Sequence, residues 1–571
     1  MTSPIVREPA VRDRTLPDVV CYVVLTILVW GVSAFRRGMW QDDVQALGLA
    51  FVRSHRSFWK LFDGDSSPLR RLTILPSALA NVTPYPIETL QLMSAATWLA
   101  MGLLAGWIVS LLLPNQRLTR FLVICLTLTA TSDYQTASMV PLAYNVAASC
   151  FLAAFGCALL WLRDGKRWTL VASALLLTSS LWNMDVGLPA VPFAVFVLVW
   201  MSGWRPEKKL LVLLAVWAIV LIPVAIVEWS FLHDPKGYAA LAIVPMPAGA
   251  VIRRAIKLWI ENFAPWRWAF ARPEWYPRPP AAISTAWMAV ASFVAAAVFL
   301  LRARTKKNSA AATREPGLVL LFGLMALVAN AAYASIQFSE LHYRTHILSR
   351  VWASAAIGIV IGWAFERLPR ARLLAWAIAI AFVFFGTWGG MERQDLYLAT
   401  WRQHQRELSS ILTAAPSVRP GTAIILRSGN VPGRYLATEA DYLTGLWLRL
   451  LYDQPTMRAL RLTPDRGSTC SATAGGLECH PECPANRTCP PVRYPYEELV
   501  IMDYDRDSGT YHLVSSLRGD PIAEGHEADV VRYRPEERIE RTPWTLRQRR
   551  LLLHPDVERS DTVRISGQTA R

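Results

Sequence analysis

The sequence predicts an α-helical polytopic membrane protein with about eleven transmembrane helices, followed by a C-terminal extracytoplasmic α/β domain. Three observations predict it. Apolar runs of membrane length fill the chain up to about residue 390 and stop there. The short loops between them alternate between Lys/Arg-rich and Lys/Arg-poor. Beyond residue 390 the pattern changes to short strands and helices bounded by turn residues.

The spans are read near residues 18–34, 89–113, 118–132, 143–162, 168–182, 187–202, 209–232, 283–301, 317–335, 350–366 and 372–390. Many of the 24 tryptophans lie near the ends of these runs, as in the aromatic belts of membrane interfaces. The formal charge of +16 would point a soluble chain toward nucleic acid. Here much of it sits in short loops, so membrane lipids are the expected partner and nucleic acid is not. The run from Val19 lacks a small-x-small site and further apolar runs follow it, so no cleavable signal peptide is expected.

Loop charge orients the spans. With residues 1–17 (Arg7, Arg12, Arg14) cytoplasmic, the short inner loops are "PNQRLTR", "RDGKRW", "GWRPEKK", "RARTKKNSAAATREPG" and "ERLPRARL". All are rich in Lys or Arg, as the positive-inside rule requires. The outer loop 35–88 is itself basic, but long loops obey the rule less strictly. Residues 18–390 then form the membrane domain, with outer loops 35–88 and 233–282. An odd number of spans puts residues 391–571 outside. In a bacterium the chain would sit in the inner membrane with this part in the periplasm.

Residues 391–535 read as a small α/β domain, and 536–571 as a charged tail. "MERQDLYLATWRQHQRELSSIL" and "ATEADYLTGLWLRLLYD" have helical periodicity. "GTAIILRSG" is a buried strand, and "ELVIMDYDRDSGTYHLVSSL" is two strands around a turn. Cys21, Cys125, Cys150 and Cys157 lie in apolar spans as small hydrophobes. Cys470, Cys479, Cys483 and Cys489 cluster without a CxxC pair, so two disulfides in an oxidising compartment are expected rather than a metal site at His480. Spacing leaves their pairing open.

Ionisable residues on the outer side are the candidates for chemistry. Asp42 and Asp43 follow the first span. Such a pair can take a proton from a hydroxyl or bind a divalent cation, Mg or Mn. Taken alone, it is more economically an N-cap for the helix starting at Val44. Asp133 stands at a span end in "TSDYQTASMVPLAYN". Asp185 in "SLWNMDVGLPAVPF" precedes a Pro-containing span, where a buried acid is costly unless used or paired. His342, Arg344, His346 and Arg350 in "SELHYRTHILSRVW" form a cationic cluster suited to a phosphate group, or equally to interfacial snorkelling. The aromatic and basic stretch within 233–282 suits a helix lying on the membrane surface.

The order of these pieces resembles the GT-C superfamily of integral-membrane glycosyltransferases. It is most similar to the protein O-mannosyltransferase branch, which includes the tetratricopeptide-bearing transmembrane mannosyltransferases. The resemblance covers about two thirds of the chain. It rests on "WQDD" after the first span, "SPLRRLTILPSALANVTPYPIETLQLM" before the second, "SDYQTASMVPLAYNVAASCFLAAF", and "WNMDVGLPAVP" with Asp185 in the place of the family's acid. The family's "KE" is "MD" here, and a Cys-bearing α/β domain replaces the repeats.

The resemblance implies a polyprenyl-phosphate-sugar donor whose sugar faces the outer side, and a glycan, lipid or protein acceptor. It implies inversion by single displacement. Asp42, matching the first acid of the family's pair, would be the base, and Asp43 would cap its helix. Arg344, helped by His342, His346 and Arg350, would stabilise the leaving lipid phosphate. Asp133 and Asp185 would line the substrate site. Some relatives use a divalent metal; Asp42 or Asp43 would hold it, though no spacing here demands one. A non-catalytic envelope assembly or sensor protein and a transporter or flippase remain the alternatives.

Overall fold

The computed structural model describes residues 16–39, 42–62, 70–114, 116–131, 141–205, 207–233, 246–270, 281–303, 315–331, 334, 346–428, 437, 441–463, 468–481 and 490–552. In chain order its helices are α1 (Leu16–Thr26), α2 (Asp42–Arg56), α3 (Leu75–Asn81), α4 (Pro86–Leu112), α5 (Arg117–Thr129), α6 (Pro141–Asp164), α7 (Arg167–Asn183), α8 (Val191–Met201) and α9 (Lys208–His233). They continue with α10 (Ala248–Glu261), α11 (Arg267–Phe270), α12 (Ala281–Ala303), α13 (Glu315–Ala331), α14 (Ile347–Arg367), α15 (Arg372–Ala414), α16 (Asp441–Leu451) and α17 (Leu546–Leu552).

Each of the eleven expected spans falls on a helix. Seven helical stretches are long and apolar enough to cross a bilayer: Leu16–Arg36, Pro86–Leu112, Leu142–Asp164, Lys208–Ser230, Ala281–Val298, Ile347–Arg367 and Pro369–Ala414. The chain is therefore a multi-pass membrane protein. The other four segments are shorter than a crossing: α5 has 13 residues, α7 17, α8 11 and α13 17. Ile219, Ile222, Ile226, Phe293, Leu373 and Leu374 are exposed on the bundle surface, which in water would be costly and in acyl chains is not.

Neighbouring helices pack closely. A Cβ at Gly386 of α15 would lie 2.0 Å from the Thr129 carbonyl oxygen, and one at Gly358 of α14 would lie 2.6 Å from Val123 Cγ2. Only glycine lets these backbones approach α5 so nearly. α6 and α7 are tied by hydrogen bonds from Ser173 to the Ala154 carbonyl (2.9 Å) and from Ser180 to that of Ala147 (2.8 Å).

The last crossing does not stop at the membrane. α15 is one helix of 43 residues. The stretch 372–390 read as a span and the stretch after it read as the domain's first helix are continuous. Beyond it lies a four-stranded sheet ordered β3-β2-β7-β8, from β2 (Ala423–Arg427), β3 (Arg458–Leu462), β7 (Leu499–Asp505) and β8 (Thr510–Leu513). β2 pairs in parallel with β3 and β7, and β7 pairs antiparallel with β8 around the expected turn. Alternation along β2 sends Ile424 and Leu426 toward α15 and α16, and Ala423 and Ile425 toward the opposite core. That second core is closed by an antiparallel sheet of β4 (Thr469–Thr473), β5 (Gly476–His480) and β6 (Val492–Pro495). Cys470 and Cys479 are paired residues on β4 and β5 and form a disulfide. Cys483 and Cys489 lie outside the described residues.

The stretch read as a charged tail contributes to the fold as far as residue 552. β9 (Ile539–Glu540) pairs with β1 (Ser417–Val418), and Leu551 and Leu552 of α17 are buried. The domain is fused to the first outer loop. Val44, Leu47 and Phe51 of α2 share one core with Leu443, Leu446 and Trp447 of α16 and with Trp401 and Leu408 of α15. Loop 35–88 and the C-terminal domain therefore occupy the same end of the bundle, as an odd number of crossings requires.

Candidate functional site

The site is built at that end, starting where α1 unwinds. Residues Ile27–Gly31 form a π-helical turn and Ala34–Arg36 a 3₁₀ turn. π turns loosen the regular ladder and leave carbonyls to be met by side chains. Gln394 of α15 donates to the Leu28 carbonyl (2.7 Å) and accepts from the Ser33 N–H (3.1 Å). Arg37 donates through Nη2 to the Trp30 carbonyl (2.5 Å), and its guanidinium lies 4.9 Å from the Trp30 ring centroid. Gln91 of α4 donates in turn to the Arg37 carbonyl. Burial pulls the Arg37 pKa down to about 10, against the charges of Tyr397 and Asp43, so Arg37 stays a cation at neutral pH.

Asp43 is 2% exposed. The expected cap is thus a buried carboxylate within electrostatic reach of Arg37. Asp42 begins α2, two residues before the expected start at Val44, and its side chain lies outside the described residues. Asp185 opens a 3₁₀ turn, Asp185–Ala190, ahead of α8, and its side chain too is outside them. Asp133, His342 and Arg344 also fall outside the described residues.

His346 and Arg350 stand at the start of α14, both buried. Arg350 donates through Nη1 to the Ala130 carbonyl at the end of α5 (3.1 Å), and its guanidinium lies 5.8 Å from the Trp98 ring centroid. Burial and the Arg350 charge push the His346 pKa down to about 3, so this imidazole is neutral at physiological pH. It cannot contribute positive charge to an anion there.

Four residues of this end were missed from sequence. Arg37 was counted with the loop. Gln91 and Asn145 sit inside apolar runs whose average hides them. Arg393 was lost because the span was ended at 390. The uninterrupted helical periodicity from 372 to 414 was the signal that could have found it. Arg393 donates to the Trp268 carbonyl (3.0 Å) beyond α11 entry, and the Thr131 hydroxyl lies 3.1 Å from the same oxygen.

α4 relates the acid to the cations. Gln91, Ser94 and Trp98 recur at i, i+3 and i+7, so they share one helix face. Gln91 meets the Arg37 side of the site and Trp98 meets Arg350. Seven residues along a helix span about 10 Å. Arg37, within electrostatic reach of the buried Asp43, and Arg350 thus meet one face of α4 about two turns apart. Among the described residues no three His, Cys, Asp or Glu side chains converge, so none can be assigned as a metal set.

No protein-family model matches this chain, and no curated protein matches it. Among solved structures, ArnT from Cupriavidus metallidurans bound to undecaprenyl phosphate is 13% identical, with a TM-score of 0.42 over 78% of this chain and 90% of that one. The apo state of the same protein gives 12% identity and a TM-score of 0.39 over 79% and 86%. Likeness at this level fixes neither fold nor activity. An acid that could accept a proton, cations that could meet an anion, and an enclosing domain at the same end suit group transfer to an acceptor from a lipid-held donor.

Proposed function

We propose that this chain is a membrane glycosyltransferase of the GT-C superfamily. It would move a sugar from a polyprenyl phosphate to an acceptor on the outer face of a bacterial inner membrane. The supporting observation is the shared face of α4, which sets the Arg37–Asp43 pair and Arg350 on one side of the bundle interior. A sensor protein with solvent-facing acids would have no use for a carboxylate and three arginines buried at one end, each costly to desolvate.

In this reading Asp42 is the general base that takes the acceptor hydroxyl proton as the oxygen attacks the anomeric carbon. Asp43 and Arg37 hold the start of α2 against the unwound end of α1. Arg350 and Arg393 meet the phosphate, which gains negative charge as the glycosidic bond breaks. His346, being neutral, serves as a hydrogen-bonding group rather than a charge. Arg344, His342, Asp133 and Asp185 belong to segments that would complete the cavity. The C-terminal domain, fused to the loop carrying the base, is placed to present the acceptor: a glycan, a lipid or a protein.

The test is transfer of labelled sugar from undecaprenyl-phosphate-linked hexoses by the purified protein. Asp42→Asn should lower turnover about 10²- to 10⁴-fold, the usual worth of a general base, with melting temperature unchanged. Full turnover in that variant removes Asp42 from the mechanism. No transfer by wild type, combined with uptake of the lipid across liposomes, would instead make the chain a flippase.

A further inference from the structure

Hydroxyls on the membrane helices nearly always fold back onto their own or a neighbouring backbone. Thr97 donates to the Met93 carbonyl (2.9 Å), Thr129 to that of Cys125 (2.9 Å), Thr178 to that of Ala174 (2.9 Å) and Ser292 to that of Met288 (2.8 Å). The amide of Asn183 likewise donates to the Ala143 carbonyl (3.2 Å). Six residues break the habit: the hydroxyls of Ser94, Thr127, Ser354 and Thr387 and the amides of Asn145 and Asn330 make no hydrogen bond among the described residues, and two of them meet at the site. Ser94 on α4 and Asn145 on α6 are both 0% exposed. The Ser94 hydroxyl and both amide atoms of Asn145 make no hydrogen bond among the described residues.

They lie at one level. Ser149 Oγ donates to the Thr97 carbonyl (3.4 Å), and Gly156 of α6 packs against Trp107 of α4, so α4 and α6 run parallel in register. Asn145 is one turn before Ser149 on the same face of α6. Ser94 is about one turn before Trp98, whose ring underlies Arg350. Both are therefore on the Asp43 side of Arg350, between the proposed base and the proposed phosphate site.

A buried amide with both its donor and its acceptor open is an unfinished site. The missing partner must both donate and accept, about one turn of α4 from the ring that underlies Arg350. An acyl chain offers neither function and a phosphate offers acceptors only. A sugar hydroxyl offers both, and a vicinal pair can span an amide bidentately. We propose that Asn145 and Ser94 form the subsite that reads the hydroxyls of the donor sugar, while Arg350 takes its phosphate. This rests on the glycosyltransferase reading and adds the residues that select the sugar.

The test measures binding of undecaprenyl phosphate and of its glucose, mannose and galactose conjugates to the full-length protein in nanodiscs. Wild type should bind at least one conjugate about 10-fold or more tightly than the bare lipid phosphate, as expected when a polar site is completed rather than left unpaired. Asn145→Ala and Ser94→Ala should remove that preference and leave affinity for undecaprenyl phosphate unchanged. Ser94→Thr, which keeps the hydroxyl, should retain it. Loss of both affinities together, retention of the preference in Asn145→Ala, or no preference in wild type overturns the subsite while leaving the glycosyltransferase reading standing. No binding of any of the four lipids by wild type sinks both.

Discussion

Two regions at the outer end of the molecule are built on opposite terms. In the seam between α2 and α16 the chain completes itself. A Cβ at Gly48 would lie 2.8 Å from Leu446 Cβ, Trp401 and Trp447 stack with ring centroids 6.2 Å apart, and Arg547 covers the Phe51 ring at 4.6 Å. Side chains there also reach backbone: Asn81 donates to the Leu47 carbonyl and Tyr452 to that of Ala415, while Asn81 Oδ1 and Arg547 Nε make no hydrogen bond among the described residues. A few turns deeper, the level of Ser94 and Asn145 is equally buried but not completed. The seam has no need of a ligand and joins domain to loop. The recess keeps bonding capacity in reserve at the cost of stability.

Substitutions can break each side of that contrast. The largest expected effect is Trp447→Ala, which empties the centre of the seam and should cost about 3–5 kcal/mol, read as a drop in melting temperature with loss of turnover. Removing the Cys470–Cys479 disulfide, which closes a separation of nine residues, should cost about 2–3 kcal/mol in an oxidised sample. Gly48→Val overpacks the seam and should cost about 1–3 kcal/mol. In the recess the sign reverses: Asn145→Leu should leave stability unchanged or raise it by about 1 kcal/mol, because an unpaired buried amide is removed.

Acid offers a further probe of the deeper region. Above pH 6.5 folded and unfolded states both hold His346 neutral. Between 6.5 and about 3 the unfolded chain binds a proton that the buried imidazole refuses. Stability from this residue therefore falls as pH drops through that window, by at most about 1.4 kcal/mol per pH unit. His346→Gln should flatten the loss of melting temperature between pH 7 and 5, and an unchanged slope would show that His346 is not the group responsible.

The fold was legible where it depends on long averages. Apolar length found eleven helical segments, seven of them long enough to cross a bilayer, and short apolar runs bounded by turn residues found β2, β7 and β8. What averages conceal was not legible. α5 and α7 are shorter than crossings, at 13 and 17 residues. The expected boundary at 390 fell inside α15, since a drop in hydropathy marks where a helix leaves lipid and not where it ends. β3 to β6 were passed over because short, partly exposed strands carry little periodicity. At the site, the acid pair and the 342–350 cluster stood out by charge. Arg37, Arg393, Asn145 and Ser94 did not, because their meaning lies in what they do or do not bond, which only packing reveals.

α15 has a mechanical consequence. Its 43 residues make a rod about 64 Å long, roughly twice the thickness of the hydrocarbon core. One end is gripped by α5 at Gly386, and the other is embedded in the domain through Leu408, Ile411 and Leu412. With no hinge between them, the domain works as a handle on a shaft. A tilt of about 5° about Gly386 would sweep about 4 Å at the far end, at the rise of a regular helix. At Gly386, where the Thr129 carbonyl leaves no room even for a methyl group, the same tilt would be resisted. Arg393 and Gln394 stand midway along this shaft, so any tilt of the domain about Gly386 bears first on them.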